Sequence, residues 1–376
     1  MTSDAVDVVV IGGGIAGLSA AYFLGQTGLK CVVLERDSIG SHASGFAYGG
    51  VGAVGGTASA SGGPGPSHVV AVEGVRLHKI LAQSLPEQTG VNIEFRHRPS
   101  LSLLFTDEEI TSAKRSIQWM KTQPGYTVDL LDGSQVRGID SRISSKTAGG
   151  VYVEGTYDVD PYRLMLALKQ AVEIQGSVIK YGSVTGLESR HGSVSAVKFS
   201  GTNIVCGKVV LAMGPWSVEA SDWLGIPIEM RPVKGQILRL SMPGPPFHMS
   251  IGCGSDYATT KSDGNLWTGT TEEEVGFNEE PTELARVQIM ASLINMIPSA
   301  VNAHLVKHTA CLRPVASDRL LLLGRVPGWS GVYMATGGGR QGIVMGPAMG
   351  KVIADLIATE HTDIPIVAFD PGRFSI

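Results

Sequence analysis

The twenty-two residues Val8–Leu29, VVVIGGGIAGLSAAYFLGQTGL, contain no charged side chain. Such a length is enough for a membrane helix. Three successive glycines and the polar Ser19, Gln26 and Thr27 count against a span, however, and Asp4 and Asp7 stand where a secretion signal needs basic residues. The hydrophobic period divides the stretch instead. Val8 to Ile11 is a β-branched run suited to a buried parallel strand, whereas Ile15 to Leu24 is small and apolar, as a helix packed on a sheet must be. Between them lies Gly12-x-Gly14-x-x-Gly17, and Gly28 closes the helix before a second strand, CVVLE, at residues 31–35. Gly12 permits the turn, Gly14 lets a pyrophosphate touch backbone N–H groups at the helix N-terminus, and Gly17 lets helix meet strand. Glu35, eighteen residues after Gly17, is placed to accept hydrogen bonds from an adenosine ribose and to repel a 2′-phosphate. The stretch therefore reads as a βαβ unit that binds an adenine dinucleotide.

Composition limits what such a unit serves. A chain of 376 residues with 43% hydrophobic content can bury more than one domain core. Its net charge of -4 supplies no broad basic face for nucleic acid or anionic lipid, so small molecules are the expected partners. The 49 glycines are about 13% of the chain, against roughly 7% in ordinary proteins, which suits close backbone approach to a ligand. Cys31, Cys206, Cys253 and Cys311 form no CxxC pair and the histidines have no ligand spacing, so neither a disulfide framework nor a metal site is signalled. A reducing cytoplasm is the expected setting.

One βαβ unit cannot bury its own faces, so the chain is expected to return to the same sheet. Cys206–Ser217, CGKVVLAMGPWS, has a buried-strand core, and Gly331–Ile357 reads as strand, glycine loop and helix, again aiming a helix N-terminus at a ligand. Residues 158–176 form a helix with Asp160 as cap, Pro161 in the first turn and Gly176 at its end. By contrast KGQILRLSM (234–242) and DYATTKSDGNLWTGTT (256–271) read as antiparallel strands, the latter turning at Asp263-Gly264. The expected fold is α/β: a Rossmann-like nucleotide-binding domain with an interleaved substrate domain of antiparallel β-sheet plus helix.

Read in order, VVVIGGGIAGLSAAYFL, VVLE, YDVDPYRLMLAL, VVLAMGPWS, RPVKGQ, CLRPVASD and GGGRQGIVMGPAMG resemble the D-amino-acid oxidase, glycine oxidase and sarcosine oxidase family of FAD-dependent oxidoreductases over nearly the whole chain. The resemblance implies an FAD domain made of residues 1–84, 145–222 and 312–376, and a substrate domain made of 85–144 and 223–311. It places the FAD diphosphate at Gly14, Ile15, Ala16 and Gly17, the ribose at Glu35 beside Arg36, and the adenine side at the Val184 backbone, with Gly214 nearby. The family's serine near the diphosphate corresponds to Ser44, in a stretch that also offers His42 and Ala43. Gly338, Gly339, Arg340, Gln341, Gly342 and Ile343 would cradle the isoalloxazine end, where helix-terminal N–H groups stabilise negative charge on the reduced ring.

The same resemblance assigns the substrate carboxylate to Arg313 and Tyr257. A guanidinium gives a carboxylate two parallel hydrogen bonds and a phenol adds a third, so the Cα–H is held over flavin N5 for hydride transfer. Gly49 and Gly50 stand where glycine oxidases have a methionine beside the flavin, which would leave room for a bulkier side chain or N-substituent. Cys311 falls where the sarcosine-oxidase branch attaches flavin through a thioether. That branch lacks the adjacent arginine, so an inert thiol and non-covalent FAD are expected. Residues 51–66, VGAVGGTASASGGPGP, read as a lid or an insert. The expected activity is oxidation of a small or N-substituted amino acid to its imine, with oxygen or a quinone-type carrier reoxidising the flavin. A 2-hydroxy-acid oxidoreductase and a non-catalytic FAD-containing assembly factor are the alternatives on this fold, and a homo-oligomer is compatible with any of them.

Overall fold

The computed structural model describes residues 6–55 and 63–375. Much of the segment read as a lid or an insert lies outside the described residues. The opening unit forms as read: β1 (Val8–Ile11), α1 (Ile15–Gln26) and β2 (Cys31–Glu35). Both faces of β1 are buried, which is why it is a continuous apolar run. Val8 and Val10 pack into one core with α1, while Val9 and Ile11 pack into another on the opposite face.

β1 lies within a six-stranded sheet whose order is Leu322–Arg325, Val332–Thr336, Val209–Leu211, β1, β2, Val178–Tyr181. All neighbours are parallel except the first pair. The two returning segments read from the sequence therefore supply adjacent strands. One face carries α1 and the helices His68–Thr89, Pro161–Ile174 and Gly342–Ala358; the other carries a three-stranded antiparallel sheet beginning at Val184. The Pro161–Ile174 helix is capped by Asp160, whose side chain accepts from the Arg163 N–H, with Pro161 in the first turn.

A second, eight-stranded sheet has the order His304–Ala316, Met230–Ser241, Leu266–Gly269, Asp256–Thr260, Ser250–Cys253, Ser100–Leu104, Gly149–Glu154, Thr127–Asp132. It is antiparallel except between Ser250–Cys253 and Ser100–Leu104. The turn at Asp263-Gly264 closes on the Lys261–Asn265 pair, with Gly264 at φ +77°. Alternation decides the faces: Leu238 and Leu240 pack toward helix Glu283–Met296, and Ile237, just before Leu238, points the other way, into the cavity described below.

Two expected domain breaks are corrected by these ladders. Gly149–Glu154, assigned to the FAD side of a break at 145, pairs instead with Ser100–Leu104 and Thr127–Asp132 in the eight-stranded sheet. His304–Ala316 crosses the break at 312 as one strand, paired with Met230–Ser241 from Met230–Ala316 to Ser241–His304. Among the described residues no helix is long and apolar enough to cross a membrane.

Candidate active site

A cavity of about 1220 Å³ opens between the ends of the parallel strands and the face of the eight-stranded sheet. Sites for a drug-sized ligand span about 300–1,000 Å³, so this one accommodates a dinucleotide and a small substrate together. Every residue expected above to touch cofactor or substrate borders it except Gly17. Gly17 lies behind the lining: a Cβ there would sit 1.9 Å from the Gly12 carbonyl oxygen, so the glycine serves the contact of helix with strand.

At one end the chain presents bare backbone. Gly12 has φ +105° and donates its N–H to Leu34 O. A Cβ on Gly14 would meet only Ser44 Oγ, at 3.2 Å, so the approach to the N-terminus of α1 is open there. Ser44 Oγ accepts from the Ile15 N–H at 3.0 Å, joining the two segments expected to hold a diphosphate. Glu35 is fixed by two backbone donors, Gly13 N–H at 2.7 Å to Oε2 and Asp37 N–H at 2.9 Å to Oε1. Each carboxylate oxygen keeps a lone pair for a ribose hydroxyl. An open glycine approach, a helix N-terminus and an oriented acid fit FAD. At the far side of the cavity the helix Gly342–Ala358 also presents its N-terminus, and the Ile343 carbonyl is satisfied by His78 Nε2 at 2.8 Å. Burial pushes His78 down to about 4, so the ring is neutral.

His42 lines the cavity but spends both ring nitrogens on carboxylates, Nε2 on Asp37 Oδ2 at 2.8 Å and Nδ1 on Glu279 Oε1 at 3.1 Å. Carboxylates only accept, so this geometry calls for the imidazolium. Burial opposes that charge, and the bonds to Asp37 and Glu279 outweigh it, raising the pKa. The ring stands edge-on to Trp216 with centroids 4.8 Å apart, and the Arg36 guanidinium lies 4.4 Å over the same indole. Both residues therefore shape the wall through Trp216.

The other end of the cavity is made of side chains on the sheet. One register row runs Ile237–Gly269–Tyr257–Gly252–Ser102 across five strands, so Tyr257 is flanked by glycine on both sides. Arg313 lies over another bare position, since a Cβ on Gly235 would fall 2.0 Å from its Nη2. Its Nη1 donates to Thr271 O at 2.9 Å and Nη2 to Thr270 Oγ1 at 2.6 Å, leaving further N–H groups of the fork. The Tyr257 hydroxyl is buried and, among the described residues, has no hydrogen-bond partner. Burial drives its pKa upward against the opposing pull of the Arg313 charge, so it is a neutral donor. Arg340 borders the cavity while donating to Ser255 O. Cys311, two residues before Arg313, is a buried free thiol that burial pushes up to about 11.

Gly49 and Gly50 border the cavity, and their own Cβ positions are occupied by neighbours. A Cβ on Gly50 would lie 2.7 Å from the ring of Tyr48, and one on Gly49 would lie 2.2 Å from Val159 O. Tyr48 stacks on Tyr257 with centroids 4.1 Å apart and donates to Ser250 Oγ at 2.6 Å. Sequence reasoning missed Tyr48, Thr270 and Glu272, which also line the cavity. The one signal available for Tyr48 was its place immediately before two glycines.

The chain matches the family model described as DAO, FAD dependent oxidoreductase, over residues 7–356. It is 26% identical to glycine oxidase of Geobacillus kaustophilus over 376 residues, covering 98% of this chain and 96% of that protein. It is 28% identical to glycine oxidase of Pseudomonas aeruginosa over 383 residues, covering 98% of each. Among solved structures, glycine oxidase from Geobacillus kaustophilus superposes with a TM-score of 0.91 at 25% identity, covering 98% of both chains. Iminodiacetate oxidase from Chelativorans sp. BNC1 shares the fold, with a TM-score of 0.88 at 23% identity, covering 97% of this chain and 98% of that one.

Proposed function

Because the chain belongs to the family of FAD-dependent oxidoreductases, we propose that it oxidises the C–N bond of a small α-amino or N-alkyl amino acid to the imine, which water hydrolyses. The observation that carries this reading is the Tyr257 hydroxyl, a buried donor without a partner among the described residues, in the same cavity wall as the Arg313 fork. A buried polar group left unpaired costs about 1–3 kcal/mol, and a substrate carboxylate answers both groups at once. Arg313 takes the carboxylate in two parallel hydrogen bonds and Tyr257 donates a third. Tyr48, stacked beneath Tyr257 and tied to Ser250, fixes the direction of that donor.

Gly12, Gly14, Ser44 and Glu35 hold the diphosphate and ribose of FAD, without a thioether from Cys311. Held there, FAD would supply a two-electron acceptor for the substrate's C–H hydride. No protein base is assigned to the carbon: the cavity lining offers one histidine, His42, which stands at the nucleotide end with both nitrogens engaged. The chain's contribution is to hold the C–H in line and exclude water. Anaerobic mixing of the yellow protein with glycine, sarcosine, D-proline, D-alanine and matched 2-hydroxy acids tests the reading. Bleaching of flavin absorbance by an amino or N-alkyl amino acid is expected. Bleaching by hydroxy acids alone, or by none of the panel, overturns it.

A further inference from the structure

The substrate end of the cavity contains a carboxylate that the clamp does not use. Glu272 borders the cavity directly after Thr270 and Thr271, the two residues that receive the Arg313 guanidinium. Its Oε1 lies 3.5 Å from Arg340 Nη1 and its Oε2 lies 3.6 Å from Arg319 Nη2, long ion-pair separations at a partly exposed site. Among the described residues the Glu272 side chain accepts no hydrogen bond. The other carboxylates of the lining differ. Glu35 is taken by two backbone N–H groups, and Asp256 by the Thr270 N–H and the Ser292 hydroxyl. Glu219 belongs to the turn that carries Trp216, at the nucleotide end.

We propose that Glu272 sets the charge preference of the substrate pocket: it favours substrates whose group beyond the amino-acid head carries a cation or a hydrogen-bond donor, and disfavours a second carboxylate. This rests on the amino-acid reading above, in which Arg313 and Tyr257 take the α-carboxylate. With the head held there, a substituent that extends toward Arg340 enters the field of Glu272. A donor on the substituent fills the acceptor capacity of Glu272, and the charge of Glu272 cancels part of the attraction that Arg340 and Arg319 exert on a second carboxylate.

The test compares wild type with Glu272→Gln on side chains of similar length and different charge. Rates of anaerobic flavin reduction are measured against concentration for lysine, glutamine and glutamate, in the enantiomer that reduces the flavin, and for iminodiacetate against sarcosine. The readout is the lysine-to-glutamate ratio in wild type against the variant. Glu272→Gln should shift that ratio of apparent second-order rate constants by about tenfold toward glutamate, with the shift shrinking in high salt, and should shift the iminodiacetate-to-sarcosine ratio in the same sense. Glu272→Asp should retain part of the wild-type preference. Ratios unchanged within about twofold, with flavin still reduced by the neutral substrates, would overturn the role of Glu272 and leave the function standing. Wild-type flavin that no amino acid reduces would overturn the function instead.

Discussion

On the proposed function, the two ends of one cavity recognise their ligands by opposite means. The nucleotide end uses main chain: Gly12, Gly14 and the first turn of α1 form it, with Ser44 and Glu35 bonded back to the N–H groups of the same loop. The substrate end uses side chains, Tyr48, Tyr257, Thr270, Glu272 and Arg313, brought together by strand register rather than sequence proximity. Main-chain recognition requires the absence of side chains at fixed spacing, so it tolerates almost no change. Side-chain recognition depends on what projects from a sheet, so single substitutions can retune it without dismantling the fold.

The largest effect expected from this contrast is at Gly17. Valine there places its Cβ 1.9 Å from Gly12 O, backbone that has no room to retreat because Gly12 itself abuts Ala212. Overpacking of this kind costs about 1–3 kcal/mol when side chains yield and more when backbone must move. Gly17→Val should therefore emerge colourless and with a lowered Tm. Gly28→Ala is the control: the position has φ +85° but nothing within 4 Å of an added Cβ, so only backbone strain of about 1 kcal/mol applies. Flavin absorbance per protein and thermal unfolding check both. A yellow Gly17→Val protein of unchanged Tm would break the contrast.

The same difference explains what was legible in the sequence. The βαβ unit, the return strands and the Asp160 cap are short-range patterns whose spacing is their mechanism, so they were readable before any fold was known. Arg313 and Tyr257 came only through family resemblance, because nothing local distinguishes a clamp arginine from any other strand arginine. Tyr48 and Glu272 were missed for the same reason: their roles exist only once Ser250, Tyr257 and Arg340 are placed around them. How much space Gly49 and Gly50 leave was not legible, because a glycine's empty side-chain position belongs to whichever neighbour reaches it first, here the Tyr48 ring and the Val159 carbonyl. The break at residue 145 failed because a strand's sheet is chosen by its partners, and Gly149–Glu154 finds them in Ser100–Leu104 and Thr127–Asp132.

Arg313→Ala should sharpen the contrast from the other side. Loss of a charge-assisted, two-pronged hydrogen bond corresponds to roughly 2–4 kcal/mol, or about 30- to 1,000-fold in the apparent dissociation constant for carboxylate substrates. Flavin content should not change, since Arg313 stands on the eight-stranded sheet and Thr270 and Thr271 receive its guanidinium. Arg313→Lys should recover part of the loss as a single charge without the fork. Flavin-reduction rate against substrate concentration separates binding from the chemical step, and an unchanged half-saturating concentration in Arg313→Ala would remove the residue from the substrate site.

The smallest expected effect lies where the two ends meet. His42 links Asp37, in the loop after β2, to Glu279, in the segment that leads from the eight-stranded sheet into helix Glu283–Met296. Around it stand Asp37 and Glu279 as partners, Arg36 across the Trp216 face, and Phe277 stacked on the same indole at 5.6 Å. Because its pKa is raised in the fold, the stabilisation from this bridge is fully present below about 6.5, the unfolded value, and is lost as pH rises through the folded value. His78, pushed down by burial to about 4, stays neutral in the folded protein across that rise, so its charge does not change while FAD is released. Spontaneous FAD release from the purified protein should therefore quicken on going from about pH 6 to pH 9, by a few-fold rather than orders of magnitude, because the bridge is partly exposed and solvent screens it. His42→Gln loses one of the two charge-assisted contacts at every pH. It should release FAD at a pH-independent rate near that of wild type at high pH, and should leave half-saturation by substrate unmoved. A wild-type release rate that is flat with pH, or a His42→Gln profile that keeps the wild-type slope, would mean that the two ends of the cavity are held together without this bridge.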